Sequence, residues 1–315
     1  MIRDSYAVSP TTLAPGIYRL VVPPENSGVR LDHFLTSGLE GAPRVLIKQF
    51  IDLGGVHIDG RRVRRCSLPM VTGQRVELYV DGLSLKPFQL EPARVLYRDR
   101  YLLALDKPAG IATQPTPARY QGTLYAALQQ FLAAAGGVNL GMVQRLDRDT
   151  SGVIIFSIHP KANQGLTAAF REHRVIKRYQ ALVAGQPQND GGEICSHLAR
   201  RRATNRMVSV ERGGKPALTR YRVVTRFAAA ALVEVEIPTG RTHQIRIHFA
   251  EAGHPLLGDT AYGGPAVCGG LTIPRQMLHA SELLLDHPVG GAPLTLRAPL
   301  PADFQGVMQA LGSLF

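Results

Sequence analysis

The chain has 315 residues, 45% of them hydrophobic, and 36 Lys and Arg against 24 Asp and Glu, a formal net charge of +12. That length suffices for one large core or two domains, and the basic excess favours nucleic acid or another anionic surface as partner. Three dispersed cysteines, Cys66, Cys195 and Cys268, with no C-x-x-C pair, argue against a disulfide framework or a zinc ribbon and suit a reducing compartment. No apolar signal core opens the chain, and no stretch approaches the ~18 to 20 apolar residues of a membrane span. A cytoplasmic protein with no membrane partner is expected.

Residues 1–16 are polar and read as a loosely held tail. Residues 17–82 read as a small domain. Leu31, Phe34, Leu35 and Leu39 lie at helical spacing, as do Leu46, Ile47, Phe50 and Leu53, and Gly54-Gly55 stops the second helix. A hairpin follows, "VHI" then the turn Asp59-Gly60 then "RRVRR", and "GQRVELYV" closes the unit as a strand. Arg61, Arg62, Arg64 and Arg65 crowd into five positions after the turn, with Lys48 on the preceding helix. They protect an edge strand, or they meet phosphate, which Arg binds bidentately; the residues alone leave both readings open. Residues 83–94, interrupted by Pro87 and Pro92, read as a linker.

Residues 95–315 read as a larger body. Strands are expected at "RVLYRD" and "YLLALDKP", a helix at "TLYAALQQFLAAAGG" capped by Thr123 and ended at Gly136-Gly137, and a second helix near "KANQGLTAAFREH". Strands then dominate: "RYQALVAG", "TRYRVVTRF" and "ALVEVEIP". Without strict β-α-β alternation, the class expected is α+β, with a mixed, largely antiparallel sheet.

Four segments look over-specified for packing. "DKPAG" (Asp106–Gly110) alone reads as a plain turn. In "VQRLDRDTSG" (Val143–Gly152), Asp149 suits a local side-chain-to-backbone turn, whereas Asp147 stands at the mouth of the apolar run "VIIFSI". A carboxylate there needs a charge partner, and so paired it suits a nucleophile or base. In "KRYQALVAG", Lys177, Tyr179 and Ala181 share a strand face, and Tyr179 is a half-buried sheet residue or a surface for stacking a base. In "PTGRTHQIRIHFAEAGHPLLGDTAYG", Ile245, Phe249 and Ala252 mark a buried helical stripe, Arg246 shares a face with Thr242, and Arg246 is a candidate partner for Asp147. His243, His248 and His254 lack zinc-motif spacing, and no phosphate loop or G-x-S-x-G elbow occurs. No metal is expected.

Taken in order, these segments, followed by "LHA" and "RAPLPADF", resemble the RluA family of pseudouridine synthases over roughly residues 95–304. "GKPALTRYRVV" suits the family's middle strands. The stretch "RLDHFL…LIKQFIDLGGVHIDGRRV", within Val29–Val80, resembles the small RNA-binding module of ribosomal small-subunit protein four. It departs from that module where "GAPR" replaces a Ser-Arg-Ser run and leaves only Arg44 as a basic contact. The resemblance implies a pseudouridine-synthase catalytic domain behind a small helix-helix-hairpin RNA-binding domain. It implies an isomerase that needs no cofactor, with Asp147 the catalytic carboxylate, Arg246 its partner, and Tyr179 the stacking residue. Arg145 would fill the gap left by a flipped base and Leu278 would wall the pocket. Lys107, Arg200, Arg201, Arg202 and Arg206 would face phosphate. Gln144 replaces the family's usual His before R-L-D. The partner implied is structured RNA, with ribosomal RNA of the large subunit ahead of tRNA, acted on by a monomer. A non-catalytic RNA-binding protein would not need the carboxylate, and a metal-dependent hydrolase is the other competing reading.

Overall fold

The computed structural model describes residues 13–133, 136, 139–201 and 206–312. Most of the expected polar tail, Gly137 and Arg202 lie outside them. The chain divides into two compact units, one of residues 1–90 with 111–137 and the other of residues 91–110 with 138–315.

In the first unit, β1 (Gly16–Val21), α1 (Leu31–Gly38), α2 (Arg44–Leu53), β2 (Val56–Ile58), β3 (Arg61–Val63) and β4 (Arg75–Val80) form the small module. Its antiparallel sheet runs β1-β4-β2-β3. Leu31, Leu35 and Ile47 fill the core without exposure, as the helical spacing predicts, together with Ile51 of α2 and the strand residues Val56 and Leu78, while Leu46 is half-buried. Asp59 and Gly60 both have positive φ, 48° and 75°, the conformation a two-residue hairpin turn demands. Asp32 is buried and accepts hydrogen bonds from both Arg30 and Arg44. Burial alone would raise its carboxyl pKa; the two arginines outweigh that and hold it below the usual range. Arg44, expected as a basic contact, is thus bonded to Asp32.

Residues 111–137, including α3 (Leu124–Ala133), belong to this unit and not to the larger body where their place in the chain suggested. The reason is a seam of backbone and charge contacts. The amides of Tyr120 and Gln121 donate to Leu53 O, and Arg119 makes a bidentate pair with Asp81 at 2.6 Å for both bonds. Arg62 turns inward to Thr116 O and lies over the Tyr120 ring, which Arg64 also approaches. The hairpin therefore does not present four guanidinium groups to solvent. Arg61, Arg64 and Arg65 remain exposed.

The second unit contains β5 (Val95–Arg98), β6 (Leu102–Lys107), β7 (Gly141–Met142), β8 (Ser151–Ser157), α4 (Pro160–Arg171) and β9 (Ile176–Ala184). It continues through β10 (Gly191–Arg201), β11 (Arg206–Val210), β12 (Lys215–Arg226), β13 (Ala230–Glu236), α5 (Gln244–Glu251), β14 (Val267–Cys268) and β15 (Leu271–Thr272). It ends in β16 (Leu278–Asp286), β17 (Pro293–Arg297) and α6 (Ala302–Gly312). The large sheet runs β11-β10-β12-β13-β9-β16-β8-β6-β5, with β17 also paired to β16 and β7 to β8. Its pairs are antiparallel except β16 with β8. This is the mixed, antiparallel-rich α+β fold expected. Among the described residues no helix is long and apolar enough to cross a membrane.

Every residue of β8 is buried, which explains its unbroken apolar run. At its entry Gly152 has φ 113°, and a Cβ there would lie 2.1 Å from Ala280 O. Only glycine lets β8 come so close to β16. Ahead of it, Lys107 Nζ donates to Pro108 O, Arg148 O and Thr150 O at 2.9, 2.9 and 2.8 Å. Lys107 is wholly buried, so it does not face phosphate as the resemblance implied. Burial draws its ammonium down to about 7, while three acceptors suit three N–H donors and favour the charged form. Lys107→Met should strand those carbonyls and lower stability by about 3 kcal/mol. A urea titration would show a reduced midpoint at unchanged slope; an unchanged midpoint would mean that water satisfies the carbonyls.

Candidate active site

Asp147 stands on the turn that enters β8, where Thr150 N donates to Asp147 O at 3.2 Å. The other carbonyls of this turn are also held: Lys107 takes those of Arg148 and Thr150, and Arg275 Nη1 takes that of Asp149 at 2.9 Å. Gln276 Nε2 donates to Thr150 Oγ1, and Ser151 Oγ bonds His279 Nδ1. Asp149, expected to bond its own backbone, instead receives the Arg148 guanidinium through both carboxylate oxygens. The Thr-Ser-Gly part of the motif is thus a tertiary lock as well as a local turn.

A cavity of about 490 Å³ opens beside Asp147, and its lining includes Arg145, Lys177, Tyr179, Arg246 and Leu278. The Asp147 side chain is 26% exposed towards this space. Arg246 Nη1 donates to Asp147 Oδ2 at 3.0 Å, bringing together residues 99 positions apart. Nε and Nη2 of Arg246 meanwhile grip Asp259 at 2.6 and 2.7 Å. Burial would lower the Arg246 pKa; hydrogen bonds and charges from Asp259, and then Asp147, reverse this and hold it above its ordinary value. The arginine is a permanent cation braced from behind. Its placement follows from Gln244 at the start of α5. The Gln244 side chain accepts from Thr239 Oγ1 and Arg241 N and donates to Leu218 O and Thr219 Oγ1, so all its buried polar atoms are satisfied.

Tyr179 on β9 is 8% exposed, and burial followed by the charge of Asp147 pushes its phenol pKa upward. It is a protonated aromatic surface at neutral pH. Leu278 is buried at the start of β16, and Arg145 is exposed with Nη2 3.4 Å from Thr242 Oγ1. Gln144 Nε2, at the position where the resemblance expects His, is buried on the cavity wall without a hydrogen-bond partner among the described residues. Arg200, Arg201 and Arg206 lie exposed on the arm formed by β10 and β11.

Two features escaped the sequence reading. Asp259 sits in the quoted "GDTAYG", but nothing local marks it as the arginine's main partner. His243 adopts φ 56° just ahead of α5, with Nε2 3.8 Å from Asp147 Oδ2 and Nδ1 2.7 Å from the Tyr262 hydroxyl. Ala252, expected in the buried stripe, is exposed because α5 ends at Glu251. Thr242 likewise precedes the helix and does not share a face with Arg246. His248 is a satisfied core residue, bonded to Thr219 and Ser196, and burial draws its imidazole down to about 4.

The profile of the family described as RNA pseudouridylate synthase matches residues 101–251, the segment that carries Asp147, Tyr179 and Arg246. An uncharacterized RNA pseudouridine synthase of Chloroflexus aurantiacus is 37% identical, covering 93% of each chain. The chain belongs to the RNA pseudouridine synthase family. It is an isomerase acting on RNA, of the RluA type. A ribosomal large subunit pseudouridine synthase D of Nitrosomonas europaea is 32% identical over 98% of this chain and 94% of its own. The solved human RNA pseudouridylate synthase domain containing 4 matches with a TM-score of 0.60 at 25% identity, over 70% of this chain and 93% of its own.

In this pseudouridine synthase, Asp259→Ala should release the rear of Arg246 and lower turnover by roughly 100-fold, the order found when one preorganised charge contact is lost. RNA affinity by filter binding should stay within about threefold, since Asp259 is buried beneath the cavity. Full turnover would show that Asp147 alone positions the arginine.

Proposed function

We propose that this enzyme isomerises uridines of large-subunit ribosomal RNA, with Asp147 as the catalytic carboxylate, Arg246 as its charge partner and Tyr179 as the surface on which uracil stacks. The observation that carries this reading is the convergence of a half-exposed carboxylate, a braced arginine and a buried phenol on one cavity. Binding RNA alone would not need that carboxylate. Relatives named for the large ribosomal subunit, alike over almost the full chain, support the choice of RNA.

The reaction cuts uracil from the sugar at N1, turns it and rejoins it through C5. A proton leaves C5 and one is gained at N1, so atoms balance without redox or hydrolysis. The base must first leave its stack to reach a recessed carboxylate. Arg145, exposed on the cavity lining, would occupy the gap, and Leu278 would wall the pocket. Tyr179 is the surface on which the ring stacks, and with Asp147 and His243 it lines the cavity into which the C5 proton leaves. The small module would grip structured RNA through Arg61, Arg64 and Arg65 on its hairpin.

Deleting the gene and mapping pseudouridines by carbodiimide and reverse transcription should remove stops from large-subunit ribosomal RNA; loss confined to tRNA would overturn the substrate. Asp147→Asn should abolish product while affinity holds, because size is kept and only the charge is lost. Asp149→Asn should retain much of its activity, since its partner Arg148 is exposed and its backbone is held by Arg275. A dead but folded Asp149→Asn, or an active Asp147→Asn, would exchange or remove their roles. Replacing Arg61, Arg64 and Arg65 with Ser should weaken RNA binding and reduce its salt slope by roughly one unit per lost phosphate contact. An unchanged slope would leave these arginines as edge protection.

A further inference from the structure

The cavity holds a cation that the roles above leave unused. Lys177 lies two residues before Tyr179 on β9, on the same strand face, and both side chains line the cavity with Asp147. It is 6% exposed. Its ammonium makes one hydrogen bond among the described residues, to Pro238 O at 3.3 Å, so most of its donor capacity is unspent. Among the described residues no carboxylate forms an ion pair with it, and Arg241, which also lines the cavity, repels it. A buried ammonium without a counter-ion is costly and is retained where something else supplies negative charge.

We propose that Lys177 contacts the flipped uracil and neutralises the negative charge the ring acquires as its bond to the sugar breaks. The proposal rests on the cavity being the uracil site. Negative charge on the ring is common to the available routes. If N1 leaves C1′, the bonding pair departs with the base and spreads over N1, O2 and O4. If a carboxylate first adds at C6, the charge is delocalised through C5 to O4. C5 later bonds C1′ and loses its proton, N1 is protonated, and the ring is neutral again. Phosphate is the weaker claimant. It stays on the backbone at the cavity mouth, where the exposed Arg145 and Arg171 stand, whereas an ammonium this buried meets only what enters the pocket. Burial, with Arg241 adding to it, draws Lys177 down to about 8, which still leaves it charged at neutral pH. A cation fixed on the cavity wall also needs no reorganisation when charge develops.

The test is single-turnover loss of the target nucleoside in RNA carrying either uridine or 5-fluorouridine at the modified position. Fluorine makes the ring a better-stabilised anion and lessens its need for a protein cation. Lys177→Met should slow the uridine reaction by about 100-fold, with RNA affinity within about threefold. The deficit should shrink at least about tenfold on 5-fluorouridine, and Lys177→Arg should recover part of the rate. An equal deficit on both substrates would overturn the proposal in favour of a structural tie to Pro238, as would a deficit confined to affinity. Thermal melting of each variant separates misfolding from lost chemistry, because a folding defect also slows both substrates alike. Asp147→Asn is run beside them. If it turns over, the reading of the cavity falls; if it is dead while Lys177→Met is normal, only the lysine's role falls.

Discussion

The structure depends on how the four-residue turn from Asp147 to Thr150 is held. The carbonyls of a turn leading into a wholly buried strand have no sheet partner, and each must find another donor. Lys107 supplies two from the end of β6, Arg275 a third from ahead of β16, and Thr150 N closes the fourth. The buried lysine is therefore part of the backbone's hydrogen bonding, and Asp147 projects from a frame that has no slack. Gly152 completes the frame by letting two parallel strands meet where any side chain would collide.

On that frame the electrostatics are asymmetric. Arg246 gives Asp259 two short bonds and Asp147 one, so the arginine's position is set by Asp259 and Asp147 is only steadied. A carboxylate held through one oxygen keeps the other open to the cavity. A paired carboxylate clamped through both would be better bound and less reactive. Asp259 is buried as the arginine's support, whereas Asp147 is open to the cavity.

The small module shows how readily arginine-rich sequence is over-read. Arg62 bonds Thr116 O and stacks on Tyr120, and Arg44 serves the buried Asp32. Guanidinium groups satisfy buried carbonyls and carboxylates as well as they meet phosphate. Composition counts the charges without showing which are already spent.

Elements with local causes were legible from sequence. The helices of the small module follow from apolar spacing, the hairpin from Asp59-Gly60, and the buried strand from "VIIFSI". The exceptional standing of Asp147 follows from a charge at an apolar boundary, and its pairing with Arg246 was implied by the resemblance to the pseudouridine synthases. What sequence could not decide depends on contacts between distant residues. Asp259 became the arginine's main support because α5 and the following turn bring them together. Lys107 went inward because three stranded carbonyls lay there. Residues 111–137 joined the small module because Leu53 O, Asp81 and Arg62 offered them partners. Spacing along the chain reports which face a side chain takes; what waits at that face is settled only when the chain has folded.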